Sequence, residues 1–261
     1  MSTDNPMGIH RVMHELKRRR LDVLRVTDLT PRMRRITLGG PELAGFISLG
    51  SDDHIKLFFA QNAAEQAALE TLQLASKGND DGPRPAMRDY TPRRYDAALN
   101  ELDIDFVLHG DGPASTWAEQ AAPGQHLYVG GPRGSMIVPD SFDSYLLIGD
   151  ETALPAIARR LEELPANRQV LALIEVANAA EQQTLRSAAN VEIHWLHREA
   201  GQDLLSAVKG VSLPGGSLYS WVATESALSR RIRRVLLDDF AVNEDFLKAA
   251  GYWKLDDSSE D

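Results

Sequence analysis

A change of rhythm near residue 140 constrains the fold of this chain more than any other feature. Upstream of it, short runs of branched and aromatic residues are cut at brief intervals by turn signals. Leu21–Thr27 and Arg34–Leu38 read as strands turned at Thr30-Pro31, and Gly39-Gly40-Pro41 stops the second. His54–Phe59 and Leu127–Val129 read as strands too. In Glu101–Leu108, Leu102, Ile104, Phe106 and Leu108 alternate as in a strand buried on one face. Such a series predicts an antiparallel barrel. Downstream, Tyr145–Ile148, Val170–Ile174, Val191–Trp195 and Leu218–Val222 read as strands. Ala153, Ile157, Leu161 and Leu164 recur at helical spacing, as do Leu228, Ile232, Val235 and Leu236. Strands alternating with helices predict crossover units and a parallel sheet. The expected boundary is Pro139–Ser144, giving a β domain over 1–140 and an α/β domain over 141–261. Residues 1–20 read as a polar arm whose basic run, Lys17–Arg20, is a solvated face. Gln61–Met87 starts as an Ala-rich helix and loosens into a loop over Ser76–Pro83.

Composition removes several chemistries. The chain has no cysteine, which excludes disulfides, thiol nucleophiles and cysteine-ligated iron–sulfur clusters. Any redox chemistry then needs a bound organic cofactor or an external donor. The net charge of −10 disfavours nucleic acid as a partner. An anionic substrate would need a local basic patch working against that field. No run of about 18 apolar residues is present, so no membrane span is expected. Met1–Pro6 lacks the apolar core of a signal peptide, and the cytoplasm is the expected location. His10 and His14, and His194 and His197, have helix-like spacings but no third histidine and no evident carboxylate beside them, so no metal site is expected.

Three stretches carry candidate chemistry. Arg88-Asp89-Tyr90-Thr91-Pro92-Arg93 gathers two cations, an aromatic ring and a hydroxyl within six residues. If the stretch is extended, Arg88, Tyr90 and Pro92 share one face and Asp89, Thr91 and Arg93 the other. Such a strip can stack a ring, hold a phosphate and hydrogen-bond a heteroatom. The plain alternative is a polar strand end before a turn. In the second stretch the strand ending near Leu108 runs into His109-Gly110-Asp111-Gly112-Pro113. Ala114-Ser115 then opens a short helix, whose N-terminus suits a pyrophosphate, or Ser115 merely caps it. In the third, Gly149-Asp150-Glu151-Thr152 follows a buried strand, with Thr152 as N-cap and Pro155 in the first turn. An open α/β sheet binds ligand there. The glycine-rich dinucleotide fingerprint is absent, and Asp150-Glu151 would repel a pyrophosphate set directly against them.

With Gly130–Ser135 and the closing Gly251-Tyr252-Trp253, these stretches occur in an order that resembles the siderophore-interacting proteins. These are NAD(P)H-dependent ferric-siderophore reductases of the ferredoxin–NADP reductase superfamily. The likeness runs from about Leu21 to Trp253. It implies a flavin-binding β-barrel followed by an NAD(P)H-binding α/β domain, with FAD as cofactor and NADPH or NADH as donor. Carried over by position, Arg88 meets an FAD phosphate, Tyr90 stacks on the ring and Thr91 meets flavin N5, making Tyr90 and Thr91 the catalytic pair. Asp105, Val107, His109, Ala114 and Ser115 line the ribityl and pyrophosphate segment. Asp150 and Thr152 face the nicotinamide–flavin junction. Apart from the carry-over, a nicotinamide 2′-phosphate needs a cation, and Arg198, just past the third strand of the second half, and Arg230 are the candidates by position, with a plain surface charge as the alternative for each. A basic triad of Lys56, Arg133 and Lys248 docks an anionic ferric siderophore such as a catecholate. Lys248 stands where some relatives carry arginine and lacks its planar fork. Tyr252 and Trp253 either shield the flavin or anchor the tail. Ferredoxin is a second candidate donor. The competing readings are a flavin reductase, a reductase of a protein partner, and a non-enzymatic siderophore carrier.

Overall fold

The computed structural model describes residues 7–71, 82, 84–110 and 112–255. The described residues divide into two compact units, one over His10–Val138 and one from Pro139 onward that residues 7–9 join.

The first unit is an antiparallel sheet of seven strands with a two-stranded ribbon beside it. The ribbon pairs β1 (His10–Met13) with β9 (Gly134–Ile137). In the large sheet, β2 (Arg18–Thr30) gives its first residues to β8 (His126–Gly130) and the rest to β3 (Met33–Gly39). Irregularities between Val23 and Arg25 and between Asp28 and Thr30 break the β2–β3 register. Bulges of this kind bend a strand and sharpen its twist. On one flank β8 is followed by β4 (Ile55–Phe59) and β5 (Ala86–Tyr90). On the other, β3 is followed by β7 (Glu101–Val107) and β6 (Arg94–Asp96). The two margins of the sheet are therefore β5 and β6, and only Thr91-Pro92-Arg93 joins them. Four steps of chain span at most about 14 Å, so the sheet must curl until its margins meet. The Tyr90 ring on β5 lies 4.5 Å from the Phe106 ring on β7 across that seam. Leu21, Ile36, Leu38, Ile55, Leu57, Leu102, Ile104, Phe106 and Val129 fill the interior, none more than 1 % exposed.

Two expectations are corrected in this unit. The basic run is not a solvated arm. Arg18, Arg19 and Arg20 pair with β8, and Arg19 is 5 % exposed, donates to the Gly131 carbonyl at 3.1 Å and lies over the Phe46 ring. Nor is β7 buried on one face only, because Asp103 and Asp105, each 5 % exposed, are buried along with Leu102, Ile104 and Phe106. The β3 register sets Thr37 opposite Asp103 and Arg35 opposite Asp105, and those two side chains cover and satisfy the carboxylates. The Ala-rich helix is α1 (Ala63–Thr71). The loop expected over Ser76–Pro83 lies outside the described residues, Gly82 apart.

The second unit is a parallel five-stranded sheet in the order β12-β11-β10-β13-β14. Its strands are β10 (Ser144–Gly149), β11 (Gln169–Val176), β12 (Asn190–His197), β13 (Leu218–Glu225) and β14 (Leu247–Trp253). Helices α3 (Leu154–Glu163), α4 (Leu204–Gly210) and α5 (Ser226–Asp238) make three of the crossovers. The β11–β12 crossover carries only a short 3-10 turn, Ala179–Glu181. β14 is a strand that the sequence pattern does not announce. The chain winds from β10 outward to β12 and then returns to the far side of β10. That reversal places a topological switch point between β10 and β13, where open α/β sheets open a crevice for ligand. Among the described residues no helix is long and apolar enough to cross a membrane.

Candidate functional site

In the first unit the candidate residues gather at the seam. β5 ends at Tyr90, so the strand alternation reaches no further than that residue. The β4 register sets Tyr90 opposite Ile55 and Arg88 opposite Leu57, on the core-facing side, and sets Asp89 opposite Lys56 on the other. Burial pushes the Tyr90 phenol above its ordinary pKa, the Arg88 charge opposing only in part. Tyr90 therefore offers a neutral ring. Thr91 is 6 % exposed, and Arg93, next but one, ties its backbone N–H to the Asp103 carbonyl at 2.9 Å. The Arg88 guanidinium is exposed and donates to the carbonyl of its neighbour Met87 at 2.9 Å.

An aromatic row links this seam to the second stretch. Tyr90 packs on Phe106, Phe106 on Trp117 at 5.7 Å, and Trp117 on Phe59 at 5.9 Å. Trp117 belongs to α2 (Pro113–Gln120), which starts one residue before the expected opening. Its N-cap is Gly112 at φ 101°, a conformation that suits glycine, and no side chain caps the helix. Pro113 has no N–H to leave unpaired, so the opening donors are those of Ala114 and Ser115. Ser115 is fully buried, and its hydroxyl accepts from the His109 N–H at 3.0 Å. It fixes the loop from inside, leaving the backbone as the donor toward a ligand. Asp105 is also committed, since both its oxygens meet Arg35, at 2.6 and 2.8 Å. Val107 closes β7 opposite Met33. These residues fit a flavin nucleotide: an aromatic ring, a neighbouring hydroxyl and an exposed guanidinium follow one another along Arg88–Thr91, and α2, whose start is uncapped, packs Trp117 onto the same aromatic row.

Of the three candidate docking cations, Lys56 and Arg133 belong to this unit. Lys56 pairs with Asp89 at 2.8 Å, each side chain about half exposed. Arg133 is exposed and lies three residues beyond Gly130, the β8 partner of Lys56. Its carbonyl accepts from the His14 N–H at 2.9 Å. Next to it, the Ser135 hydroxyl donates to Asp53 at 2.5 Å and lies 2.7 Å from His14 Nε2. Lys248 sits on β14 in the second unit, opposite Trp221.

In the second unit, Gly149 ends β10 where nothing larger fits. A Cβ there would lie 2.4 Å from Ala153 Cβ and 3.0 Å from the Ala223 carbonyl. Thr152 is not the N-cap of α3. That position is Ala153, without a side-chain cap, and Pro155 does sit in the first turn. The Thr152 hydroxyl instead donates to Asp150 Oδ1 at 2.6 Å, a strong charge-assisted bond. Asp150 is 3 % exposed and takes four donors. Thr152 N and Oγ1 meet Oδ1; Thr224 Oγ1, at 2.7 Å, and Trp253 Nε1, at 2.8 Å, meet Oδ2. These bonds tie the ends of β10, β13 and β14 together at the switch point. Trp253 is thereby anchored yet 41 % exposed, while Tyr252 packs edge-on against Trp221 at 6.0 Å.

Arg198 follows β12 and reaches two carboxylates, Glu151 after β10 and Glu175 in β11. Its half-burial works to lower its pKa, but the bonds from Glu151 and Glu175 more than reverse this and hold it above the ordinary value. Sequence reasoning missed Thr224 and Glu175. Glu175 had a usable signal, as a lone acid in the apolar run Val170–Val176 must find a partner. Sequence reasoning also saw no carboxylate beside the histidine pairs, yet Glu192 Oε1 lies 2.6 Å from His194 Nε2, the pleat putting residues two apart on one face. Among the described residues no group of three or more such side chains could hold a metal ion.

Comparison with known proteins agrees with this architecture. Residues 22–136 match the family model of the siderophore-interacting FAD-binding domain, and residues 142–256 match that of the siderophore-interacting protein. An NADPH-dependent ferric-chelate reductase of Escherichia coli is 40 % identical over 258 residues, covering 96 % of this chain and 98 % of that protein. The ferric vibriobactin reductase ViuB of Vibrio cholerae is 33 % identical over 246 residues, covering 90 % and 89 %. The crystal structure of a siderophore utilization protein from T. fusca superposes with a TM-score of 0.84 at 40 % identity, covering 97 % of this chain and 99 % of that one. The chain belongs to the siderophore-interacting protein family.

Proposed function

We propose that the protein is an FAD-dependent reductase of ferric siderophores that draws its electrons from NAD(P)H. The observation that carries this reading is the near end-to-end likeness to an NADPH-dependent ferric-chelate reductase at 40 % identity. Bound FAD supplies the capacity to take two electrons as a hydride and release them one at a time, so one nicotinamide serves two Fe(III) ions. Arg88 meets an FAD phosphate, and the Ala114 and Ser115 N–H groups meet the pyrophosphate at the start of α2. Tyr90 packs against the ring, its phenol made still harder to ionise by burial. Thr91 offers flavin N5 a hydroxyl that donates or accepts, which serves either redox state. Asp105, Val107 and His109 hold the end of β7 and its turn in place. On the α/β unit Asp150 and Thr152 shape the nicotinamide end of the crevice, and Arg198 meets the ribose phosphate.

Lys56, Arg133 and Lys248 dock the substrate's negative charge. The Lys56–Asp89 pair is half exposed. Such pairs are worth about 0–1 kcal/mol, so a multiply charged chelate displaces Asp89 readily. Catecholate and hydroxamate oxygens attract Fe(II) less than Fe(III), since Coulomb attraction scales with charge. Reduction therefore releases the iron without a protein ligand. The test is an absorbance spectrum of the purified protein before and after anaerobic NADPH, then with a ferric catecholate. A flavin spectrum that bleaches and recovers as Fe(II) forms is the expected result. Absence of flavin after reconstitution with FAD overturns the reading in favour of a carrier.

A further inference from the structure

We propose that Glu151 is a specificity residue that sets how far this protein prefers a 2′-phosphorylated nicotinamide, by occupying Arg198. The inference rests on the reading of Arg198 as the 2′-phosphate cation. At the carboxyl edge of the sheet three adjacent strands deliver three charges. Glu151 follows β10, Glu175 is the next-to-last residue of β11, and Arg198 follows β12. The Arg198 side chain is 49 % exposed, those of Glu151 and Glu175 only 12 % and 10 %. The two acids are bound differently. Glu175 gives Oε1 to Arg198 Nη1 at 2.7 Å and Oε2 to the Leu204 N–H at 3.2 Å, so it also holds the start of α4. Glu151 turns both oxygens to the guanidinium, Oε1 to Nη2 at 2.5 Å and Oε2 to Nη1 at 3.3 Å.

That two-oxygen grip on the fork is the one a phosphate would take. Glu151 thus stands on the cation as an internal competitor. An incoming 2′-phosphate must displace it or lie beside it against like-charge repulsion. A ribose 2′-hydroxyl faces neither penalty, because it carries no charge that Glu151 repels and does not compete for the guanidinium. The site therefore narrows the advantage of NADPH over NADH that a lone arginine would give. Glu175 cannot play this part without uncoupling α4.

The test measures binding of 2′,5′-ADP and 5′-AMP by isothermal titration to the whole protein and to Glu151→Gln, Glu151→Ser and Arg198→Ala. Removing one close like charge is expected to tighten 2′,5′-ADP about tenfold in both Glu151 variants, with 5′-AMP unchanged. The KM for NADPH falls relative to that for NADH in the same variants. If Arg198→Ala abolishes the preference for 2′,5′-ADP while both Glu151 variants bind it as the wild type does, the inference is overturned and the reading of Arg198 stands. If Arg198→Ala leaves the difference between the two nucleotides intact, the reading of Arg198 falls and takes the inference with it. Thermal melting of each variant confirms that the folded protein is being titrated.

Discussion

At the scale of single residues, buried carboxylates organise both units, and each makes a prediction. Asp150 receives four donors on two oxygens at 3 % exposure. Asparagine in its place keeps the shape but turns an N–H₂ toward two of those donors. Asp150→Asn is expected to lower stability by about 2–3 kcal/mol, the cost of stranding buried donors and losing bonds to a charged acceptor. A urea titration reads this directly. Adding Trp253→Phe to that variant should cost less than Trp253→Phe alone, because the two side chains share one bond. Asp105 was expected among the cofactor ligands, yet its oxygens are committed to Arg35 within the sheet. Asp105→Asn should therefore lower the melting temperature while leaving FAD affinity of the folded protein nearly unchanged. A fluorescence titration showing a large loss of FAD affinity at unchanged stability would return Asp105 to the ligand set.

At the scale of elements, acidic caps carry part of the stability of the α/β unit. The Asp203 carboxylate accepts from the Ser206 N–H at the start of α4, and Glu225 accepts from the Ala227 and Leu228 N–H groups at the start of α5. The Ser206 backbone bond holds Asp203 below its ordinary pKa. Burial works to raise Glu225, but the Ala227 and Leu228 bonds outweigh it and leave Glu225 lowered as well. A depressed carboxylate stabilises the fold above its unfolded pKa and loses that contribution as pH falls through the folded value. Replacing either cap by alanine is expected to cost about 1 kcal/mol at neutral pH. The difference from wild type should shrink progressively in denaturation curves taken below pH 4.5 for the Glu225 variant and below pH 3.8 for the Asp203 variant, the ordinary values of the two carboxylates. The elements also show what the amino-acid pattern can announce. Leu102, Ile104 and Phe106 mark β7 because hydrophobic alternation survives in any context. β14 escapes notice because Lys248-Ala249-Ala250-Gly251 has low strand propensity and becomes a strand only by pairing with β13. Arg19 was misread for a related reason, as a charged run reads as solvated until distant carbonyls and the Phe46 ring cover it. At the candidate site, local order marked Tyr90, Thr91 and the α2 start, whereas the Asp150–Thr224–Trp253 contacts join residues far apart in sequence and left no local trace, and Glu175 announced only its need of a partner, not that the partner is Arg198.

At the scale of the whole molecule, charge sets a contest between a long-range and a short-range field. The net charge of −10 repels an anionic ferric chelate at a distance, while Lys56, Arg133 and Lys248, in the docking role proposed for them, attract it locally. The screening length falls from about 30 Å at 0.01 M salt to about 8 Å at 0.15 M. Salt therefore removes the distant repulsion first and weakens the local attraction less. Replacing all three cations by glutamine makes the net charge −13, that is −10 − 3, and leaves only repulsion. In that variant kcat/KM for an anionic ferric chelate should fall at least about tenfold at 0.01 M salt and then climb steadily as salt is added. The wild-type value should change far less over the same range, because the partial loss of its local attraction offsets part of the relief from distant repulsion. A neutral ferric chelate provides the control: its kcat/KM should respond little to salt or to the substitutions. Equal salt dependence in wild type and variant would show that the three cations do not dock the substrate, whatever the effect on the absolute rate. The slope, rather than the rate, is the informative quantity, since a substitution that merely disturbs a strand lowers the rate at every salt concentration alike.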